Sequence, residues 1–310
     1  MDPSLSTTRQ TTENARSFIP FFRISTTDRL GYLLLAPAFL LFFGVLLLPS
    51  LFNIYTSFQE WVLFGDAPRF VGWDNYLEVF SDPRYLATIW RTLQFVVVTV
   101  GLQFLIGFVV ALLLDRYLNE LRSVQIIFLL PMMISEVAAA LGWRLLLVGQ
   151  YSFLNWLVGL FGFSPQVWLG PQLAFLSIIF VEVWQHTPFV ILLIFAALQG
   201  VSKELVEAGK LDGAGTWATV RHIVFPLIQP AVLVVLMFRT MFALRAFGAI
   251  WTLTHGGPAN RTTVLGIDIY QQAFVIFDLG VAGVLSVLLT VFSGIISILY
   301  IRFLSREALS

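Results

Sequence analysis

Apolar residues along the chain gather into six long stretches parted by short polar ones. They run from about Tyr32 to Leu51, Leu93 to Leu114, Val124 to Leu147, Leu173 to Leu198, Leu227 to Phe247 and Phe274 to Phe303. A hydrocarbon core about 30 Å thick needs roughly 20 apolar residues per helical crossing, so each stretch predicts one membrane-spanning helix. Gly101, Gly107, Pro131, Pro188 and Gly283 fall inside them, which membrane helices tolerate when neighbours satisfy the freed backbone groups. Between the first two stretches, Gln59 to Tyr85 is polar and aromatic and holds the turn signal Gly65-Asp66-Ala67-Pro68, which predicts a loop outside the bilayer. The expected fold is an all-α membrane protein with about six crossings. Residues 1–28 are a Ser/Thr/Arg-rich N-terminal tail without a packed core, residues 29–304 the transmembrane domain, and residues 305–310 a short C-terminal tail.

Composition agrees. The chain is 58% hydrophobic and 12% charged, with a mean hydropathy of +0.86, whereas a soluble domain carries about twice that charged fraction. A formal net charge of zero argues against a nucleic-acid partner. The absence of cysteine excludes disulfides, thiolate metal sites and thiol catalysis. Residues 1–28 lack a long apolar core, so the expectation is no cleavable signal, the first crossing serving as the insertion signal. With the amino terminus inside, the inner segments hold Arg9, Arg16, Arg23, Arg29, Arg116, Arg122, Lys203, Lys210, Arg221, Arg302 and Arg306, and the outer ones only Arg69, Arg84, Arg91 and Arg261. The positive-inside rule therefore predicts cytoplasmic termini and places Val201 to Pro230 on the cytoplasmic side.

That segment is the least membrane-like part of the chain. Ser202 is placed to cap a short helix with Glu204 near its start, and Asp212-Gly213 breaks it. Thr216 is placed to cap a second helix on which Trp217, Val220 and Val224 share a face. Pro226 and Pro230 mark return to the bilayer. The result is a helix-turn-helix elbow on the membrane surface, with Ala208, Gly209, Gly213 and Ala214 at its bend. By physics alone it reads equally well as an ordinary amphipathic surface loop.

Glu207-Ala208-Gly209, Gly213 and Ile223-Val224-Phe225-Pro226 have the residues and spacing of the EAA loop, and the stretch resembles that of binding-protein-dependent ABC importer permeases. Gly209 stands where the family pattern has a second Ala. Phe70-Val-Gly-Trp-Asp-Asn-Tyr76, Trp184-Gln-His-Thr-Pro-Phe189, Leu253-Thr-His-Gly-Gly-Pro258 and Ile269-Tyr270 followed by Ala273-Phe274 resemble segments of the sugar branch of that family, the maltose-, trehalose- and glycerol-phosphate-type permeases. The likeness runs from about Tyr32 to Phe303. It implies a permease subunit importing a sugar, a di- or oligosaccharide, with Glu207, Ala208, Gly209, Asp212, Gly213, Ala214 and Pro226 coupling it to an ATPase. It further implies ATP-binding cassette subunits, a second permease subunit, an extracytoplasmic solute-binding protein and surrounding lipid as partners. The implied setting is a bacterial or archaeal cytoplasmic (inner) membrane, crossed several times.

No site for chemistry stands out. Gly209-Lys210 is the nearest approach to a phosphate-binding loop, but Leu211 follows it and Glu204 stands where the first Gly belongs. His186, His222 and His255 are scattered and predict no metal site. The reading is a transport subunit with no cofactor and no enzyme activity of its own. Polar groups within crossings are costly and so are functional candidates: Glu136 and Arg144 in the third, Glu182 and Gln185 in the fourth, Arg239 and Arg245 in the fifth. Arg144, near a helix end, is expected to pair or snorkel. By the resemblance, the sugar-facing side of the fifth helix falls on Arg239, Ala243 and Ala246, with Phe242 and Trp184 available to stack on a ring. Two of those three positions are small and apolar, so that face offers few hydrogen bonds. The competing readings are a secondary transporter or channel, for which no matching pair of interrupted segments is evident, and a membrane-embedded enzyme, which lacks a catalytic constellation.

Overall fold

The computed structural model describes residues 26–117 and 122–307. Residues 1–25 of the expected N-terminal tail and 308–310 of the C-terminal tail lie outside them. The chain divides into two compact units, Met1–Phe52 and Asn53–Ser310. In the first, α1 (Thr26–Leu41) passes through a π-helical segment (Phe42–Leu47) into α2 (Leu48–Thr56), which carries on into the second unit. This first span, Leu33–Thr56, is strongly apolar and most of its large hydrophobic side chains are exposed.

The second unit begins with a two-stranded antiparallel ribbon, β1 (Gln59–Glu60) and β2 (Arg69–Phe70), and α3 (Asp74–Ser81). Then come α4 (Pro83–Tyr117), α5 (Arg122–Met133), α6 (Glu136–Leu147), α7 (Phe153–Leu160), α8 (Ala174–Gln199), α9 (Lys203–Leu211) and α10 (Thr216–Thr219). A π-helical turn (Val220–Val224) leads into α11 (Phe225–Leu244), followed by α12 (Gly248–Thr254), α13 (Leu265–Gln271), a second π turn (Gln272–Ile276) and α14 (Leu279–Glu307). Among the described residues, five spans are long and apolar enough to cross a membrane: Leu33–Thr56, Pro83–Tyr117, Ala174–Gln199, Thr216–Leu244 and Leu279–Ser305.

The third expected crossing, Val124 to Leu147, is not one helix. It consists of Ile126–Met133 and Glu136–Leu147, bent by 98°. Ser135 makes the break, leaving helical geometry at ψ 144° and accepting from the Ala138 amide at 3.3 Å, so a helix start lies inside an apolar run. The exposed backbone is repaired from α8, where Gln185 Nε2 donates to the Ile134 carbonyl at 3.1 Å. At the elbow the helix is continuous. Pro226 and Pro230 do not break the chain, because the π turn before Pro226 absorbs the missing amide and one helix runs from Thr216 to Leu244. The last span starts at Leu279 rather than Phe274, after a left-handed Phe277 (φ 66°).

Side-chain contacts set the direction of each helix. Arg116 at the end of α4 donates to Thr216, and Gln199 at the end of α8 donates to Asp115, so α4 and α8 finish at the elbow and begin at the opposite end. There a cap closes the bundle. The backbones of Trp61 and Leu63 pair with Leu279 and Phe277, Asn75 Nδ2 donates to the Ser57 and Gln59 carbonyls at 3.0 and 2.8 Å, and Arg84 meets Asp268 at 2.9 Å. In this cap burial raises the Glu78 carboxyl above its ordinary range, helped by Asp278 and Asp82. Helices α4 and α8 approach closely, since a Cβ on Gly107 would sit 2.7 Å from Val190 Cγ1.

Three buried polar side chains tie the centre of the bundle. Arg239 of α11, Glu182 of α8 and Gln103 of α4 are at most 3% exposed. Arg239 Nη2 donates to Glu182 Oε1 at 3.1 Å and Arg239 Nε to Gln103 Oε1 at 2.9 Å, while Gln103 Nε2 donates to the Glu182 carbonyl at 3.1 Å. A closed triangle thus links three spans, with each charge paired and hydrogen-bonded as an apolar interior requires. Removing one partner leaves the other charge buried alone. Arg239→Met should therefore destabilise the chain by about 3–5 kcal/mol, and Arg239→Met with Glu182→Met should recover most of that loss. Thermal unfolding in detergent checks this; a double variant no better than the single one would contradict it.

Candidate functional site

The elbow is built as a helix stop followed by a second helix. On α9, Gly213 N donates to the Lys210 carbonyl at 3.1 Å and Ala214 N to the Gly209 carbonyl at 2.9 Å, with Gly213 at φ +83°. This pair of bonds around a left-handed residue is a Schellman stop, and it is why glycine stands at 213. Nothing lies within 4 Å of a Cβ built there, so the restriction is conformational. Gly209 has the opposite reason: a Cβ would run into Ile223 Cδ1 of the following π turn. Ile223 packs directly over Gly209, and a larger residue there would push its side-chain tip aside.

Two expected caps are made differently. Ser202 does not cap α9 through its side chain but donates from Oγ to Glu204 at 2.7 Å. The N-cap of α10 is Gly215, and Thr216 instead accepts from Arg116 Nη1 at 3.2 Å. Both hydroxyls have a nearer charged partner. Glu207, Ala208, Asp212, Gly213 and Pro226 are exposed, with Gly209 and Ala214 half-buried. Beside them the elbow presents apolar side chains to its surroundings: Leu211 is 90% exposed and Trp217 71%. A cavity of about 260 Å³ runs under α9, lined by Asp115, Gln199, Lys203, Glu207 and Lys210 among others.

The second group of expected residues lies in the bundle. Arg239 and Glu182 come together as described. Ala243 and Ala246 are 1% and 7% exposed and pack inside the chain, against Val96 and Val100 and around Ile250 respectively. Arg239, Ala243 and Ala246 therefore face the interior of the unit. The open side of α11 carries Phe238 and Phe242, 44% and 53% exposed, stacked at 6.4 Å. Phe189 of α8 meets Phe242 edge-on at 6.2 Å. Trp184 is not brought to this face. It packs edge-on to Trp143 at 5.3 Å and lines an apolar cavity of about 640 Å³ between α4, α5 and α8. Gln185 is 3% exposed, spends its amide on Ile134, and leaves its Oε1 without a partner among the described residues. Arg245 is exposed at the end of α11.

His186 escaped the sequence reading. Its Nδ1 lies 3.0 Å from Glu182 Oε1 and 3.2 Å from the Glu182 carbonyl, and its side chain is 26% exposed. Glu182 thus holds buried Arg239 on one side and a partly open imidazole on the other. The i, i+4 spacing of Glu182 and His186 was the available signal. Glu136 and Arg144 also find partners. Glu136 Oε1 accepts from the Ala249 amide at 2.8 Å, at the start of α12, and Arg144 Nη1 donates to the Thr252 carbonyl at 2.9 Å near its end. An anion at the first turn and a cation at the last match the helix dipole and strap α12 to α6.

Residues 96–308 match the family described as binding-protein-dependent transport system inner membrane component. The chain is 33% identical over 275 residues to the trehalose/maltose transport system permease protein MalF of Thermococcus litoralis, covering 88% of this chain and 93% of the relative. It is 31% identical over 283 residues to the sulfoquinovosyl glycerol transport system permease protein SmoG of Agrobacterium fabrum, covering 90% and 92%. Its fold matches a chain in the crystal structure of a bacterial ABC transporter involved in the import of the acidic polysaccharide alginate, with a TM-score of 0.78 at 22% identity over 90% of this chain and 96% of that one. The chain belongs to the family of binding-protein-dependent transport system inner membrane components.

Proposed function

We propose that the chain is a membrane-spanning permease subunit of an ATP-driven importer, passing a sugar delivered by an extracytoplasmic binding protein. The observation that carries the reading is the elbow. An exposed helix ends in a left-handed Gly213, flanked by Leu211 and Trp217, large apolar side chains left exposed by the described residues. Such a patch between two spans fits a docking surface for another protein, and ATP hydrolysis then belongs to that partner. The elbow faces the cytoplasm and both termini lie there, by the excess of basic residues on that side. Relatives named for trehalose/maltose and for sulfoquinovosyl glycerol transport support a sugar as the cargo.

For the substrate path we take the open side of α8 and α11. Phe189, Phe238 and Phe242 offer ring faces there, and His186 offers a nitrogen held in place by Glu182. Arg239 serves this face indirectly, holding the Glu182 carboxylate in place, while Ala243 keeps the helix close to α4.

Purification with the products of neighbouring genes in mild detergent should recover a nucleotide-binding subunit; repeated failure to recover one would favour a transporter or channel with no ATPase. Gly213→Asp is a sharper test. Aspartate tolerates the left-handed region at a cost of about 1 kcal/mol, so the variant should insert and fold, while its charge obstructs docking and uptake into proteoliposomes is lost. Normal uptake by that variant would remove the elbow from the coupling role.

A further inference from the structure

A second ring cluster stands at the end of the bundle opposite the elbow. Span Thr216–Leu244 begins at the elbow, so α12 and α13, which follow it, lie across the membrane from it. On them Phe247 and Trp251 lie nearly parallel, 12° apart at 5.9 Å. Trp251 meets Tyr270 at 4.6 Å and His255 at 4.7 Å, and Tyr270 meets Phe274 at 5.3 Å. Phe247, Trp251 and Tyr270 are half-buried, while His255 and Phe274 are exposed. Strapping of α12 by Glu136 and Arg144 and the bond from Gln271 Nε2 to the His255 carbonyl at 3.2 Å hold the backbone beneath the rings. The cluster is therefore a rigid row of ring faces carrying an indole N–H and a phenol hydroxyl.

We propose that Phe247, Trp251 and Tyr270 form an outer stacking platform for a pyranose ring, which meets it before reaching the mid-membrane rings Phe238 and Phe242. The proposal rests on the sugar-importer reading. A pyranose presents a flat C–H face edged by hydroxyls. Aromatic faces bind the first, and the Trp251 N–H and Tyr270 hydroxyl are the polar groups the cluster offers to the second. Two ring clusters on either side of the break between α11 and α12 would give one sugar two resting places in series. Since stacking reads a face that pyranoses share, the platform tolerates different sugars, and selection falls to the deeper site.

The test uses the intact assembly in nanodiscs, labelled with 5-fluorotryptophan and without the binding protein. Trp251→Phe assigns the Trp251 fluorine resonance by its disappearance. Trehalose and maltose should displace that resonance, and glycerol, which has hydroxyls but no ring, should leave it in place. Tyr270→Leu should weaken the response by about three- to tenfold, the effect of losing one ring partner, and Tyr270→Phe should restore it to within about threefold. A Trp251 resonance broadened by spin-labelled lipid and unmoved by either disaccharide would make the cluster an interfacial aromatic belt and overturn the proposal. If sugar uptake by the same assembly persists in that case, the platform is refuted and the importer reading stands. If no sugar is taken up or bound, both fall together.

Discussion

The Arg239–Glu182–Gln103 triangle is the constraint around which the rest of the membrane domain is arranged. A guanidinium and a carboxylate in an apolar interior are tolerable only with near-complete hydrogen bonding, and three different spans supply it. That requirement fixes the rotation of α4, α8 and α11 about their own axes, since none can turn without stripping a partner from a buried charge. It also decides which face of α11 is inward. Ala243, one turn beyond Arg239, must then pack against α4, and Phe238 and Phe242 are turned to the open side. His186 receives its orientation from the same carboxylate.

Around this rigid centre, the helices are interrupted at defined places, and each interruption is satisfied by a neighbour. The 98° bend before α6 is held by Ser135 and by the amide of Gln185. The start and end of α12 are held by Glu136 and Arg144, both on α6. Polar residues that look expensive in a membrane helix thus divide into two kinds of work, pairing buried charge and closing broken backbone. Sequence position does not separate the two, because both kinds sit in the middle of apolar runs. The interruptions also separate two aromatic clusters, one on α11 and α8 and another on α12 and α13.

At the elbow the governing constraint is backbone conformation. A helix that must stop within a few residues and turn back toward the bilayer needs one left-handed residue, and glycine meets that need with the least strain. The stop leaves Leu211 and Trp217 facing outward, uncovered by the described residues. Ile223, folded back from the π turn, fills the space at Gly209 and packs the elbow against the base of α11.

Much of this was legible in the sequence. The number of apolar stretches, the polar loop from Gln59 to Tyr85 and the elbow with its break at Asp212-Gly213 follow from hydropathy and local turn chemistry, which depend on residues near in sequence. The family was legible for the same reason, since the spacing of Glu207, Gly213 and Pro226 is local. What tertiary structure alone decided is which distant groups meet. Hydropathy read Val124 to Leu147 as one helix, because the carbonyl freed at Ile134 is answered by Gln185, which is 51 residues away. It left the outward face of α11 open to misreading, because the direction of Arg239 is set by Glu182, 57 residues earlier, and Gln103, 136 residues earlier. A local pattern records that a polar residue lies in an apolar run; only the packed fold supplies the partner that gives the residue its role.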